Sequence, residues 1–441
     1  MRYVEFGRVT TFVSCVALLA VAGCGGGDSD GGRLVPEFYD PPSPLAYGEA
    51  GSVIRTGAVP GKPAGVKAKL IMYHSRTNDG EDIAATGLLM LPSGDPPPGG
   101  WPLVAAAHGT TGLIEECAPS IAPFAPNPLG IDGKSYYEFF YKPWLDGGFA
   151  VVGPDYQGQG APGPYSFLVG KVEGQNVLDA VRAARRIEGD LISDQLILFG
   201  HSQGGNSAGF AAEILPEYAP ELTSSGVILA APAASLHELL ELAYRGGPGA
   251  TCAFEAVSFL YLASLSYDAS YAGLNVYDVI DRQVPAGQTQ SYGEQGLPIF
   301  TNMCYGGGIS FLVNSLPFIR GPSKPGDFFI PLSQYPAPWI AAIDENSLGR
   351  QSIDTPILMV QGCHDTTIPV STNFTYFEKE LCPMGEVAEF KTYPGDSHSG
   401  VVVNAFPEML EWAKRRVAGE PAPSNCSVPP TCPSTPPPPC L

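Results

Sequence analysis

The sequence of 441 residues predicts an α/β fold: a mostly parallel β-sheet with helices on both faces and an inserted cap or lid domain. First, short continuous apolar runs alternate with segments of helical periodicity, a pattern typical of parallel sheets that are buried on both faces. Second, this alternation stops after residue 231 and resumes near residue 353. Third, hydrophobic residues make up 44% of the chain and charged residues only 15%, which supplies a large core and excludes a disordered chain.

The first part of the predicted core spans residues 46–231. Strands are predicted where apolar or alternating runs are bounded by turn residues. These runs lie at residues 67–73, 83–91, 103–107, 149–152, 196–199 and 226–231. Helices are predicted at residues 172–187 and 206–218. The first of these has an apolar stripe opposite its charges, as expected for a helix packed on a sheet. The stripe comprises Val172, Val177, Ala180, Val181 and Ala184.

The insertion, residues 232–352, is predicted to be a cap over one end of the sheet, because it is rich in Gly, Tyr, Leu and Pro and lacks the alternation. The core resumes over residues 353–418. There, strands are predicted at residues 355–361 and 388–393, and helices at residues 371–381 and 401–416. Residues 419–441 form a tail rich in proline and cysteine, a composition that cannot build a core of its own.

The N-terminus has the pattern of a secretory signal. Arg2 and Arg8 precede an apolar run over residues 9–22, which is shorter than the roughly 20 residues needed to span a bilayer. Residues 21–24 read Val-Ala-Gly-Cys and resemble a bacterial lipobox, which implies cleavage before Cys24 and lipidation of that cysteine.

Residues 1–23 are therefore predicted to be a lipoprotein signal peptide, and residues 24–45 a tether and lead-in. The protein is expected to be exported and anchored by lipid at the bacterial cell envelope, with the membrane as a partner. An ordinary signal peptide cut elsewhere is the alternative, and it would give a secreted protein. The formal charge of −20 excludes nucleic acid as a partner, because phosphate backbones need a basic surface.

Ten cysteines indicate an oxidising compartment. Removing Cys15 with the leader and Cys24 by lipidation leaves eight, an even number that favours disulfides. The pairs Cys252–Cys304 and Cys363–Cys382 are expected, because each brackets one local segment. A zinc site is the competing interpretation, but no Cys-x-x-Cys or His-x-x-x-His spacing supports it, so no metal is expected.

One motif places a nucleophile at the end of a buried strand. Residues 200–204 read Gly-His-Ser-Gln-Gly and stand between the strand at 196–199 and the helix at 206–218. In this setting, a tight strand-to-helix turn projects the serine hydroxyl from the edge of the sheet. Ser202 is therefore the candidate nucleophile.

A serine hydroxyl needs a base to take its proton and a carboxylate to orient that base. The acid and then the histidine follow the serine along the chain in this arrangement. His398 is the candidate base, since it lies on a turn-rich loop after the last strand. Asp365 is the candidate acid, because it follows the strand at 355–361, whereas Asp354 precedes that strand and Asp396 is more suited to shaping the histidine's loop.

The negative charge that develops on the substrate oxygen needs preorganised hydrogen-bond donors. One is the backbone N–H of Gln203, the residue after the nucleophile. The second donor is expected from a loop at the same edge of the sheet. Residues 108–112 and residues 155–158 are both candidates, and the residues alone do not separate them.

Taken together, these segments resemble the secretory lipase family of the α/β-hydrolase superfamily, over roughly residues 53–417. The resemblance is carried by five spaced motifs in order: 108–112 with Cys-Ala-Pro-Ser at 117–120, Asp-Tyr-x-Gly-x-Gly at 155–160, the turn at 200–205, Gly-x-x-Asp-x-x-Ile-Pro at 362–369, and Pro-Gly-x-x-His at 394–398. It implies an α/β-hydrolase fold, a triad of Ser202, Asp365 and His398, a lid-bearing cap, and ester hydrolysis without a cofactor. It also implies Asp155 as the second oxyanion contact, with Thr110 as the alternative.

The function expected from these features is that of a serine carboxylic ester hydrolase, similar to lipases. It would cleave acyl esters, triacylglycerols or shorter esters, through an acyl-enzyme. A peptidase or an acyltransferase on the same triad is one alternative, and a non-catalytic surface-binding lipoprotein is another. Aromatic and leucine residues in the insertion are candidates for an acyl pocket: Phe259, Leu260, Tyr261, Leu262, Tyr267, Tyr271, Phe311, Leu312 and Trp339.

Overall fold

A nine-stranded sheet organises the part of the chain that the structure, a computed structural model, describes: residues 35–126, 134–245, 253–305 and 324–433. Its strand order is β1-β2-β3-β5-β4-β6-β7-β8-β9. Strands β4 to β9 pair in parallel, whereas β1, β2 and β3 form an antiparallel extension that joins the rest through β5. The strands are β1 Val53–Ala58, β2 Lys67–Arg76, β3 Asp82–Leu91, β4 Trp101–Ala107, β5 Ala150–Pro154, β6 Ile192–His201, β7 Gly226–Ala230, β8 Ile357–Gly362 and β9 Ala388–Tyr393.

Helices cover both faces of this sheet and also fill the insertion. They are α1 Lys142–Asp146, α2 Gly170–Glu188, α3 Gln203–Tyr218, α4 Leu236–Arg245, α5 Ala253–Ser270, α6 Tyr292–Phe300, α7 Ala337–Glu345, α8 Val370–Tyr376, α9 Gly400–Asn404 and α10 Phe406–Val417. The predicted α/β fold with a mostly parallel sheet is therefore confirmed. The helix predicted over residues 401–416 is two helices, α9 and α10, and Pro407 occupies the first turn of α10. A π-helical turn, Phe377–Leu381, extends α8 to the predicted end at residue 381.

The core consists of two apolar layers, one on each face of the sheet. Leu103 of β4 packs in the layer that contains Val177 of α2, whereas its neighbour Val104 packs in the opposite layer with Trp144 of α1. Adjacent side chains of a strand point to opposite faces, so a strand buried on both sides reads as a continuous apolar run. The central strands could therefore be predicted from the sequence.

The insertion supplies α4 to α7 between β7 and β8. These helices share an apolar cluster with Phe167 and Leu168 of the core, and Leu260, Tyr261 and Trp339 are almost fully buried in it. Phe311 and Leu312, which were also candidates for the acyl pocket, lie outside the described residues. No helix within the described ranges is long and apolar enough to cross a membrane.

The disulfides differ from the predicted pairs. Cys304 bonds with Cys117, so it is not the partner of Cys252, which itself lies outside the described residues. The predicted bond Cys363–Cys382 is also wrong, because the two cysteines bond separately to the C-terminal tail as Cys363–Cys432 and Cys382–Cys426.

The path of the tail explains the last two pairs. Asn425 lies beside β9, where its backbone N–H donates to the Ala388 carbonyl (3.1 Å) and its Oδ1 accepts from the Phe390 N–H (2.8 Å). The tail therefore runs along the edge strand of the sheet and brings its cysteines within reach of residues 363 and 382. The signal peptide predicted for residues 1–23 and the lipidation predicted for Cys24 lie outside the described part of the chain.

Candidate active site

The predicted catalytic residues follow three strands of the parallel part of the sheet. Ser202 comes directly after β6, Asp365 after β8 and His398 after β9. Because the carboxyl ends of parallel strands meet at one edge of a sheet, this topology gathers three residues that are far apart in sequence. Ser202 and His398 line the same cavity, which has a volume of about 150 Å³, and Asp365 lies behind His398.

Ser202 stands on a backbone turn that few residues adopt. Its φ angle is +60°, in the left-handed region, and its N–H donates to the Ala230 carbonyl at 2.9 Å. Glycine is required on both sides: a Cβ at Gly200 would lie 1.8 Å from the Gly204 carbonyl oxygen, and a Cβ at Gly204 would lie 2.0 Å from the Ala107 carbonyl oxygen. The close contact between β4, β6 and α3 thus holds Ser202 at the cavity wall.

His398 and Asp365 form a hydrogen-bonded pair. The Nδ1 atom of His398 lies 2.7 Å from Oδ2 of Asp365. The carboxylate is fixed in turn by the side-chain amide of Gln361 (2.8 Å) and by the backbone N–H groups of Thr367 (2.9 Å) and Ile368 (2.8 Å). A carboxylate held from several sides keeps the imidazole in one orientation and one tautomer.

The pKa of His398 reflects opposing influences. Burial disfavours the charged imidazolium, but the charge and hydrogen bond of Asp365, followed by the charge of Glu255, outweigh it and raise the pKa above the ordinary value of 6.5. This favours proton acceptance by His398, which is what a base beside a serine hydroxyl requires.

A second histidine, His201, supports the loop that carries His398. Its Nε2 lies 3.0 Å from the backbone carbonyl of His398, and the two rings are 4.5 Å apart. Burial, followed by repulsion from His398, lowers the pKa of His201 well below its ordinary value, so His201 is neutral and donates this hydrogen bond from Nε2. This role was not predicted from the sequence, because His201 precedes Ser202 in the chain and its contact with the His398 loop arises only on folding.

Thr110 and Gln203 lie beside Ser202, whereas Asp155 does not. The β4 strand is the neighbour of β6, so the loop after β4 brings Thr110 to the cavity that Ser202 lines. A narrower apolar slot opens from the same wall, with Thr110, Ser202 and Gln203 in its lining. Its other walls are apolar residues of the cap and nearby loops, including Phe167, Leu236, Leu239, Ala263 and Ile368.

The preference for Asp155 as the second oxyanion contact is therefore wrong. Asp155 follows β5, which is separated from β6 by β4. Its backbone N–H already donates to the Thr86 carbonyl (2.9 Å), and its carboxylate accepts from the Ser120 N–H (3.0 Å) and the Thr86 hydroxyl (2.8 Å). Asp155 is thus a buried side chain that ties the β4 loop to β3.

A buried acid holds the side chain of Gln203. The amide of Gln203 donates to Oε1 of Glu173 (2.6 Å), and the Ser207 hydroxyl donates to Oε2 (2.7 Å). Burial raises the pKa of Glu173 to about 8. Glu173 lies in the first turn of α2, where its sequence context gave no signal. Within the described residues, no group of three or more His, Cys, Asp or Glu side chains is placed to hold a metal ion.

Comparison with known families and sequences agrees with this geometry. The secretory lipase family matches residues 135–247, which include α2, the serine turn and α3. Lipase 1 of Candida albicans is 26% identical over 327 residues, which cover 70% of this chain and 64% of the relative. The chain therefore spans less than two thirds of that relative's length. A probable inactive lipase of Mycobacterium tuberculosis is 27% identical over 400 residues, covering 87% of this chain and 82% of the relative.

A solved structure extends the likeness to the whole fold. The closed state of Candida antarctica lipase A superimposes with a TM-score of 0.68 at 18% sequence identity, covering 89% of this chain and 88% of that one. At this identity the likeness establishes the fold alone. The protein has the α/β-hydrolase fold and is similar in sequence to secretory lipases.

Proposed function

We propose that this protein is a serine carboxylic ester hydrolase that acts as lipases do, with Ser202 as nucleophile, His398 as base and Asp365 as the orienting acid. The observation that carries the proposal is the single cavity wall on which Ser202 and His398 both lie, with His398 bonded to Asp365. The names of the relatives point to the same chemistry.

The reaction follows from the positions of these groups. Ser202 Oγ attacks the ester carbonyl while His398 Nε2 accepts the hydroxyl proton, and the Asp365 carboxylate stabilises the resulting imidazolium. The backbone N–H groups of Gln203 and Thr110 are the proposed donors to the oxyanion. His398 then gives its proton to the departing alcohol, which leaves an acyl-enzyme on Ser202. Water, deprotonated by His398, attacks the acyl-enzyme and releases the acid.

The apolar slot beside Ser202 supports an acyl group with a hydrocarbon chain as the substrate's acid part. Leu236 and Leu239 of α4, with Ala263 of α5, form its walls within the cap, and Phe167 and Ile368 add apolar surface from the core. Removing such a chain from water favours binding by about 0.8 kcal/mol per buried methylene. The substrates proposed are accordingly triacylglycerols or shorter fatty esters.

The rates of ester and amide cleavage test this function. The purified protein should hydrolyse nitrophenyl esters of graded chain length much faster than matched anilides, and a fluorophosphonate probe should label Ser202. Faster cleavage of the anilides would instead indicate a peptidase. A folded protein that forms no adduct and cleaves neither substrate would show the non-catalytic alternative, which the relative described as a probable inactive lipase makes worth testing.

We also propose that the protein is exported and held at the cell envelope through lipid on Cys24. The three disulfides support export, since such bonds persist in oxidising compartments. Cys24→Ser is expected to move the protein from the membrane fraction to the soluble fraction, because the chain would lose its acyl anchor. Cys15→Ser, which alters a leader cysteine, is the matched control and should remain in the membrane fraction. Equal fractionation of Cys24→Ser and the native protein would contradict the anchor.

A further inference from the structure

The catalytic cavity has two unlike sides. On one side, the slot that starts at Gln203 is lined almost wholly by apolar residues. On the other side, the lining that Ser202 and His398 share contains Glu255, Thr367 and Ser399 besides aromatic side chains such as Phe139 and Phe259, so this polar side holds a carboxylate that the slot lacks. If the slot takes the acyl chain, the polar side receives the alcohol portion of the ester.

Glu255 is the carboxylate of this polar side. It belongs to α5 of the cap, and its Oε2 accepts a hydrogen bond from the Thr367 hydroxyl at 3.2 Å. This hydrogen bond joins the cap to the loop that carries Asp365, so it holds the Glu255 carboxylate at the cavity wall. The described lining of the cavity includes no lysine or arginine that could neutralise it.

The surrounding charges make this side of the cavity negative. Glu255 faces His398 and, beyond it, Asp365, and the cavity lining also contains the titratable side chains of His201, Tyr136 and Tyr305. When His398 is neutral, Asp365 and Glu255 are two carboxylates with no cationic side chain on the described wall. Burial raises the pKa of Glu255, and the influence of His398 opposes that rise, so the carboxylate ionises more readily when a positive charge is near it.

We propose that Glu255 is a specificity-determining residue, which favours esters whose alcohol portion carries a positive charge next to the ester bond. This inference rests on the proposed esterase function and adds the class of leaving group. A cation in a partly desolvated site is attracted by an ionised carboxylate more strongly than in bulk water. An anionic alcohol portion is disfavoured there for the same reason.

The test compares two esters of nearly the same shape. Butyrylcholine carries a quaternary ammonium group, and 3,3-dimethylbutyl butyrate replaces its nitrogen by carbon. At about pH 8, well above the ordinary pKa of a carboxyl group, Glu255→Gln is expected to lower the ratio of kcat/KM for the cationic over the neutral ester by about tenfold. Glu238→Gln, which removes a cap carboxylate bonded to Thr375 outside the cavity, should leave the ratio unchanged.

The possible outcomes separate this inference from the function itself. An unchanged ratio in Glu255→Gln would overturn it, and an equal loss on both esters would show that Glu255 acts on His398 instead of the alcohol. If the native protein cleaves neither these two esters nor the nitrophenyl esters, the esterase proposal fails. Calorimetric titration with choline then decides the inference on its own: weaker binding by Glu255→Gln supports a cation site, and equal or absent binding in both proteins refutes it.

Discussion

Replacing Ser202 with alanine is expected to lower kcat/KM for ester hydrolysis by about 10⁴–10⁶-fold while leaving the fold intact. The serine occupies a turn whose backbone is set by contacts of Gly200 and Gly204, so the loss of one hydroxyl removes the nucleophile without disturbing the turn. Initial rates on a nitrophenyl ester and the thermal unfolding midpoint measure the two parts of this expectation. Ser225→Ala, at a serine that bonds to Gln195 away from the cavity, is the control and should retain the native rate.

The triad can also be tested as a unit. Residues that act in one chemical step are not additive, so the double variant Ser202→Ala with His398→Ala should be about as slow as Ser202→Ala alone. A Ser202→Ala protein that keeps more than about 1% of the native rate would place the nucleophile elsewhere. A further large loss in the double variant would mean that His398 serves a reaction that does not involve Ser202.

Asp365→Asn is expected to have the second largest effect, a loss of about 10⁴-fold in kcat/KM. Asparagine keeps the size of the side chain but presents neutral groups to His398 Nδ1. The imidazole is then no longer held in one tautomer, and the imidazolium loses its negatively charged partner. Asp396→Asn is the matched control, because Asp396 lies two residues from His398 and bonds to Asn404 instead of the imidazole. A larger loss in Asp396→Asn than in Asp365→Asn would contradict the assignment of the acid.

The same variant has a predictable pH profile. Only neutral His398 accepts a proton, and its raised pKa places the acidic fall of native kcat/KM above about pH 6.5, with activity lost as the pH decreases through that pKa. In Asp365→Asn the charge that raises this pKa is gone while burial still lowers it, so the acidic fall should move to lower pH. A fall at the native position would show that Asp365 does not control the ionisation of His398.

Much of the fold could be predicted because the central strands are buried on both faces and therefore appear as apolar runs. Strand β1 was missed, since Val53–Ala58 contains Arg55, Thr56 and Gly57 and lies at the sheet edge with its residues only partly buried. The positions of Ser202, Asp365 and His398 could also be predicted, because each of these residues lies on a turn that follows an apolar run in the sequence.

Other parts of the site depend on spatial order that a sequence does not contain. The resemblance suggested the loop after β5 as the source of the second oxyanion contact, but the sheet places β4 between β5 and β6, so Asp155 does not line the cavity of Ser202, whereas Thr110 does. Glu173 and Glu255 occur within helices and gain their roles only through helix packing. The disulfides were mispredicted for a similar reason, since the cap and the tail fold back onto distant loops.

The bond between Cys117 and Cys304 limits how a substrate can reach Ser202. It fastens the segment after α6 to the loop after β4, and beside it the Tyr305 N–H donates to the Thr111 carbonyl at 2.8 Å. Because the Cα atoms of a disulfide stay within about 4.4–6.8 Å, the cap cannot separate from the core at this point. Any rearrangement of the cap therefore keeps residue 304 against the loop that brings Thr110 to the cavity of Ser202.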